Sequence, residues 1–192
     1  MAKATVNGDF RVVAMGGSAG SLEVILQAFR ELTNTRIATV LVIHRKESLH
    51  SALPEMLNTK SHVTVKEAEE KERIMPAHVY IAPADYHLLI EPDGTFSLDY
   101  SEKVNFSRPS IDVTFECAAA VFGKKVIGVL LSGGNADGVA GLKAIKKAGG
   151  MCVVQNPKSA LVSFMPQHAM NELEVDKTLG SGEIGAFLNS IQ

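Results

Sequence analysis

Short apolar, β-branched runs alternate along the chain with longer stretches in which apolar residues recur every three or four positions. Val12 to Met15 predicts a first short strand. Ser21 to Leu32 then sets Leu22, Ile25, Leu26 and Phe29 on one stripe, the period of an amphipathic helix. Ala38 to Ile43 is apolar on both faces, as a strand buried between two helix layers must be, and it ends at His44. Ser48 to Leu57 predicts a helix in spite of Pro54, which removes a backbone donor. Residues 78–100 alternate around Pro92-Asp93-Gly94, a turn sequence that joins antiparallel strands, so a hairpin is expected there. A polar loop over 101–109 leads to Ser110, a suitable N-cap for a helix running to about Phe122. Lys125 to Leu131 reads as another buried strand. A glycine-rich loop follows, then a helix to about Ala148 with Val139, Leu142 and Ile145 on one side. Met151 to Val154 is a further strand, and two helical pieces close the chain.

Strands that alternate with helices in this way predict an α/β fold: a doubly wound, mostly parallel sheet in a Rossmann-like three-layer arrangement, with a small antiparallel β-hairpin. No repeat, linker or low-complexity stretch divides the 192 residues, so one domain over 1–192 is expected. Composition adds mainly exclusions. The apolar share of 46% and charged share of 21% are those of a globular chain, and the net charge of -2 comes with no basic patch for nucleic acid. No window approaches the ~18 uninterrupted apolar residues of a membrane span, and the amino terminus has no apolar signal region, so a cytoplasmic protein without membrane insertion is expected. Cys117 and Cys152 form no C-x-x-C and read as buried free thiols. His50, His62, His78 and His87 lack ligand spacing and His168 reads as a surface residue, so neither a metal nor a cofactor is expected.

In an open parallel α/β sheet, loops and helix N-termini converge at the carboxyl ends of the strands. The residues there are Ser18 after the first strand, His44 after the second, and Asp137 in the loop after Lys125 to Leu131. These are the parts of a nucleophilic triad: a hydroxyl, an imidazole to take its proton, and a carboxylate to fix the imidazole tautomer. Gly16-Gly17-Ser18-Ala19-Gly20 also matches G-x-S-x-G, in which small neighbours permit a sharp turn that exposes the serine. Taken singly, Ser18 and Asp137 could each cap a helix, and His44 could be structural. A phosphate loop fares worse, since neither G-x-G-x-x-G nor G-x-x-x-x-G-K-[ST] is present and His44 stands where a dinucleotide site wants an acid.

The combination resembles the catalytic domain of the CheB family of chemotaxis receptor methylesterases. The resemblance rests on six ordered blocks: GGSAG, VLVIHR, YIAPADYHLLI, RPSIDVTF, LLSGGNADGVAG and ALVSFMPQHAM. It implies hydrolysis of γ-glutamyl methyl esters on the helical cytoplasmic region of a receptor, with deamidation of certain glutamines as a second activity. By the same resemblance Ser18 is the nucleophile, His44 the general base and Asp137 its orienter. Backbone N–H groups after Ser18 and within Ser132 to Asn135 would hold the oxyanion. Ala19, Gly134, Arg108 and Met165 belong to the oxyanion and substrate rim. Ala19 stands for the family's threonine, Gly134 for its methionine, Ile43 for its glutamine and Phe164 for its glycine, so the rim departs from the pattern. Family members commonly carry an amino-terminal receiver domain, whereas here about ten residues precede the first strand. The expectation is therefore a domain without a receiver: either a stand-alone esterase under another control, a receiver domain or kinase in trans being one such partner, or an excised catalytic domain. A binding module that keeps the fold without turnover is the competing class, but such a module has no need of all three triad residues.

Overall fold

Along the first strand alternate side chains point to opposite faces: Val12 and Ala14 one way, Val13 and Met15 the other, all fully buried. A strand with no polar face must lie between two layers. The computed structural model describes residues 10–45, 53–58 and 63–192. Its strands are β1 (Arg11–Gly17), β2 (Ile37–Ile43), β3 (Thr64–Glu67), β4 (His78–Ile81), β5 (His87–Ile90), β6 (Phe96–Asp99), β7 (Val126–Leu130), β8 (Met151–Gln155) and β9 (Lys177–Leu179). Its helices are α1 (Leu22–Arg30), α2 (Leu53–Asn58), α3 (Ile111–Phe122), α4 (Val139–Lys147), α5 (Phe164–Glu172) and α6 (Ile184–Ser190).

Seven strands form one parallel sheet in the order β3-β4-β2-β1-β7-β8-β9, and β5 and β6 form a separate antiparallel pair. On one face, Val12, Ala14, Val40 and Val42 pack with Ile111, Phe115, Leu142, Ile145 and Met165 of α3, α4 and α5 and with the hairpin. On the other, Val13, Met15 and Leu41 meet Ile25, Phe29, Leu53, Ile184 and Leu188 of α1, α2 and α6. Burying one such leucine, isoleucine or phenylalanine side chain contributes about 1.5–3 kcal/mol. Two helices meet at Gly141 of α4, where any Cβ would collide with Phe115 of α3. Glycine there lets the starts of α3 and α4 approach closely, which matters for the site.

The expected three-layer sheet and hairpin are both present, with one redistribution. The antiparallel pair begins only at His87; the residues from His78 to Ile81 join the parallel sheet as β4, in register with β2 from Ala38↔His78 to Leu41↔Ile81. Val79, Tyr80 and Ile81 are all buried, so this segment has no solvent face and cannot be half of an exposed hairpin. The short edge strands β3 and β9 carry Lys66, Glu67 and Lys177, and their polar character hides them from a hydrophobic pattern. Of the helix expected over Ser48 to Leu57, residues 48–52 lie outside the described residues; Pro54 falls in the first turn of α2, where its missing N–H costs no hydrogen bond.

Candidate active site

From β1 the chain adds β2 beside it, then the edge strand β3, then β4 between β3 and β2, and only afterwards returns to the other side of β1 as β7, so strand order reverses beside β1. Loops at such a reversal part and leave a crevice at the strands' carboxyl ends. Ser18 follows β1, His44 follows β2, and Ser132 to Asp137 follow β7. Backbone hydrogen bonds extend the sheet into these loops: His44 N–H donates to Gly17 O at 3.1 Å, Leu131 N–H to Gly16 O at 2.9 Å, and Ser18 N–H to Ser132 O at 2.9 Å. The first two loops are thus positioned by the sheet itself.

The turn at Ser18 is tight. A Cβ at Gly17 would lie 2.6 Å from Ser21 Oγ, and Gly20 adopts φ 80°, a left-handed conformation suited to glycine. Ser21 Oγ donates to Ser18 O at 2.7 Å and closes the turn just before α1. Ser18 itself is half-buried, and among the described residues its hydroxyl has no hydrogen-bond partner.

Asp137 is fully buried and surrounded by donors. Its Oδ2 accepts from His44 Nε2 at 2.7 Å and from Ile111 N–H at 2.7 Å. Its Oδ1 accepts from Ser110 Oγ at 2.8 Å, Asp112 N–H at 3.0 Å and Asn105 Nδ2 at 3.3 Å. Burial alone would raise the pKa of this carboxyl, but the hydrogen bonds from His44 and from Ile111, Asp112 and Ser110 outweigh it and hold the group below its usual range. Asp137 therefore caps α3, not the helix that follows it, and the positive end of α3 adds to its ionised state.

The converse contact is equally specific. Asp112, in the first turn of α3, accepts from Gly141 N–H of α4 at 2.7 Å, so each of the two helices is capped by a carboxylate from the start of the other. Burial pushes the Asp112 carboxyl up to about 6, with the charge of Asp137 acting in the same direction and the bond from Gly141 against it.

An ionised Asp137 accepts from Nε2–H of His44, which leaves the Nδ1 lone pair to act as base. Nδ1 faces Ser107 Oγ at 3.3 Å, and Asn135 Nδ2 donates to the same hydroxyl at 3.3 Å. A hollow of about 260 Å³ beside His44 is lined by Arg45, Lys103, Phe106, Ser107, Arg108 and Pro109. Nothing in the hydrophobic pattern marks Asn105, Ser107 or Asn135 as site residues. The usable signal is position alone, in a polar loop before Ser110 and in the glycine-rich loop beside Asp137.

The rim residues separate into two kinds. Ala19 and Gly134 are exposed, and among the described residues their backbone N–H groups have no acceptor, whereas those of Ser18, Ser132 and Gly133 are occupied. A Cβ at Gly134 would meet Val162 Cγ1 at 3.7 Å, ordinary contact, so glycine leaves room that a larger residue would fill. Met165 is instead fully buried beneath the loop, donating its N–H to Gly133 O at 2.9 Å. Arg108 lines the hollow beside His44, with its guanidinium held by neighbouring loops. It pairs with Asp85 at 2.9 Å, stacks 3.8 Å over the Tyr100 ring and donates to Ser101 O at 2.6 Å, which anchors the 101–109 loop.

The model of the CheB methylesterase family matches residues 13–188. The chain belongs to the CheB methylesterase family. It is 43% identical over 177 residues to a putative protein-glutamate methylesterase/protein-glutamine glutaminase of Leptospira interrogans, covering 92% of each chain. It is 38% identical over 175 residues to the protein-glutamate methylesterase/protein-glutamine glutaminase of Photorhabdus laumondii and 35% identical over 164 residues to that of Salmonella typhimurium. Those matches cover 88% and 84% of this chain but only 49% and 47% of the relatives, about half their length. The CheB methylesterase catalytic domain of Thermotoga maritima superposes with a TM-score of 0.89 at 32% identity, over 94% of this chain and 98% of that one. No described helix is long and apolar enough to cross a membrane.

Proposed function

We propose that the protein is a serine hydrolase that removes methyl groups from glutamate γ-methyl esters on a receptor's helical region, and deamidates glutamine by the same chemistry. The observation that carries the reading is the His44–Asp137 bond of 2.7 Å, made at a strand end adjacent to that of Ser18, whose hydroxyl has no hydrogen-bond partner among the described residues. Ser18 Oγ attacks the ester carbonyl while Nδ1 of His44 takes its proton; Asp137 holds the ring and stabilises the imidazolium. For this, Nδ1 exchanges its contact with Ser107 for one with Ser18. The oxyanion is received by the free N–H groups of Ala19 and Gly134, each worth about 3 kcal/mol in comparable sites. Collapse breaks the carbon–methoxy bond, His44 returns the proton, and methanol departs. Water, deprotonated by His44, then attacks the acyl-enzyme; as the acyl–Oγ bond breaks, His44 gives that proton to Ser18 Oγ, and the glutamate carboxylate is released. With glutamine the leaving group is ammonia.

A protein substrate suits the rim. Phe106 and Leu161 are 97% and 82% exposed, one on the loop beside His44 and the other over Gly20 next to Ser18. Apolar side chains standing free on either side of a catalytic line fit the surface of a helix better than a small polar ester. The test is methanol release from a methylated receptor segment: Ser18→Ala is expected to lose about 10⁶ in turnover. Equal rates in the two proteins refute the mechanism, and no turnover by the unmodified chain favours the binding module.

A further inference from the structure

We propose that Asp112 and Asn105 form a positioning clamp behind the catalytic pair. Ionised Asp112 holds the Asn105 amide so that its nitrogen also reaches Asp137, and the loop thus fixed carries Ser107 to His44. The inference rests on the hydrolytic reading of Ser18, His44 and Asp137.

Asn105 Nδ2 donates to Asp112 Oδ2 at 2.8 Å and to Asp137 Oδ1 at 3.3 Å. A carboxamide nitrogen carries two hydrogens, so one amide serves both carboxylates. The carbonyl of the same residue accepts from Asn135 Nδ2 and from Ser107 Oγ, each at 3.4 Å, and Ser107 Oγ lies 3.3 Å from His44 Nδ1. Asn105 is therefore the joint between the buried carboxylates and the residues that meet the base. Its backbone sits at φ 49° and that of Phe106 at φ 62°, both in the left-handed region, where two successive residues with side chains persist only if something holds them. The bridge to Asp112 and Asp137 does so.

Capping α4 accounts for one oxygen of Asp112 and leaves the other unexplained. An apolar environment favours the neutral group, which carries a hydrogen on one oxygen; the ionised carboxylate is acceptor-only and suits donors at both oxygens. The charged groups acting on Asp112 are Asp137, from the loop before α4, and Glu116 on its own helix. From α4 it meets the backbone of Gly138 and Gly141, and from the 101–109 loop the amide of Asn105. Because its carboxyl is pushed up to about 6, the clamp is engaged at neutral pH and weakens as the solution is acidified through that range.

Asn105→Ala removes the joint at an exposed loop position and leaves the α4 cap in place. Asp112→Asn keeps an oxygen for Gly141 but sets an amide nitrogen against that of Asn105. Both variants of the full chain are expected to lower kcat on a γ-methyl-glutamyl peptide about tenfold, the scale of losing a supporting hydrogen bond behind a catalytic ligand, with KM nearly constant. Both should also lose one ionisation from the acid limb of the rate profile, near pH 6. Ring ¹⁵N shifts of His44 should move from a single Nε2–H tautomer toward a mixture. An Asn105→Ala protein with wild-type kcat, acid limb and His44 ring shifts overturns the clamp. The ring shifts need no turnover, so the clamp can fail while Ser18→Ala is inactive, and the hydrolytic reading can fail while the shifts move as expected.

Discussion

Replacing Asp137 by Asn tests the site and the fold through one set of contacts. The carboxylate accepts five hydrogen bonds, from His44, Ile111, Ser110, Asp112 and Asn105, and every partner is a donor. An asparagine of the same shape offers one carbonyl oxygen, which can satisfy two of them, and an NH₂ that finds another donor wherever it points. His44 can flip tautomer to accept from it, but then its proton sits on Nδ1, where a base needs a lone pair. At least two buried donors stay unmatched at about 1–3 kcal/mol each, so Asp137→Asn is expected to destabilise the protein by roughly 2–6 kcal/mol. Turnover should fall by about 10⁴, the cost of holding the imidazole in the wrong tautomer. Urea unfolding gives the first quantity, and methanol release from a methylated peptide, measured below the unfolding transition, gives the second. A variant that loses less than about 1 kcal/mol, or that turns over within about tenfold of the parent, refutes the argument that this carboxylate is saturated by donors and sets the tautomer.

The two buried carboxylates act oppositely on stability as pH changes. Asp112 titrates near 6 in the folded protein, above its unfolded value, so the native state binds the extra proton between about pH 4 and 6 and stability falls as pH rises through that window. Relative to Asp112→Asn, the parent should gain roughly 2 kcal/mol between pH 7 and pH 4.5, as read from urea midpoints. Asp137, held below its usual range, contributes stability that is present above its unfolded pKa and lost as pH falls through its folded one, so the gain should reverse in stronger acid. Gly133→Ala would put a Cβ 2.5 Å from Met165 Cε and 3.1 Å from Ser18 Cβ; kcat should fall at least about tenfold because Ser18 is displaced, with a modest shift in melting temperature. Arg108→Lys loses the fork that spans Asp85 and the Ser101 carbonyl, so loop 101–109 should loosen and kcat should drop with little change in the melting curve.

The layered architecture, and the placing of Ser18, His44 and Asp137 at neighbouring strand ends, were legible because each announces itself locally. Val12 to Met15 and Ala38 to Ile43 are runs too apolar for any but a central strand, and the polar residues that follow them stand out. What stayed hidden depends on contacts between distant segments. His78 to Ile81 has the alternation of a hairpin strand, and only its pairing with β2 puts it in the parallel sheet. Asp112 looks like an ordinary acidic residue in a helix's first turn, and its partner Gly141 lies 29 positions away. Arg108 and Met165 were read as rim; Arg108 lines the hollow beside His44 with its guanidinium held by Asp85 and Tyr100, contacts no local pattern announces, and Met165 is buried beneath the loop.

All three catalytic candidates hang on the middle strands β2, β1 and β7, while the outermost strands β3 and β9 have only four and three residues. Amide hydrogen exchange should divide accordingly. Edge strands can open and reclose on their own, but the amides of Ser18 and Leu131 cannot exchange without parting the centre of the sheet. Fraying at β9 is thus compatible with full activity. A ligand that bridges Ser18 and His44 would slow exchange throughout the central cooperative unit, making it a stabiliser of the whole domain and not of one loop.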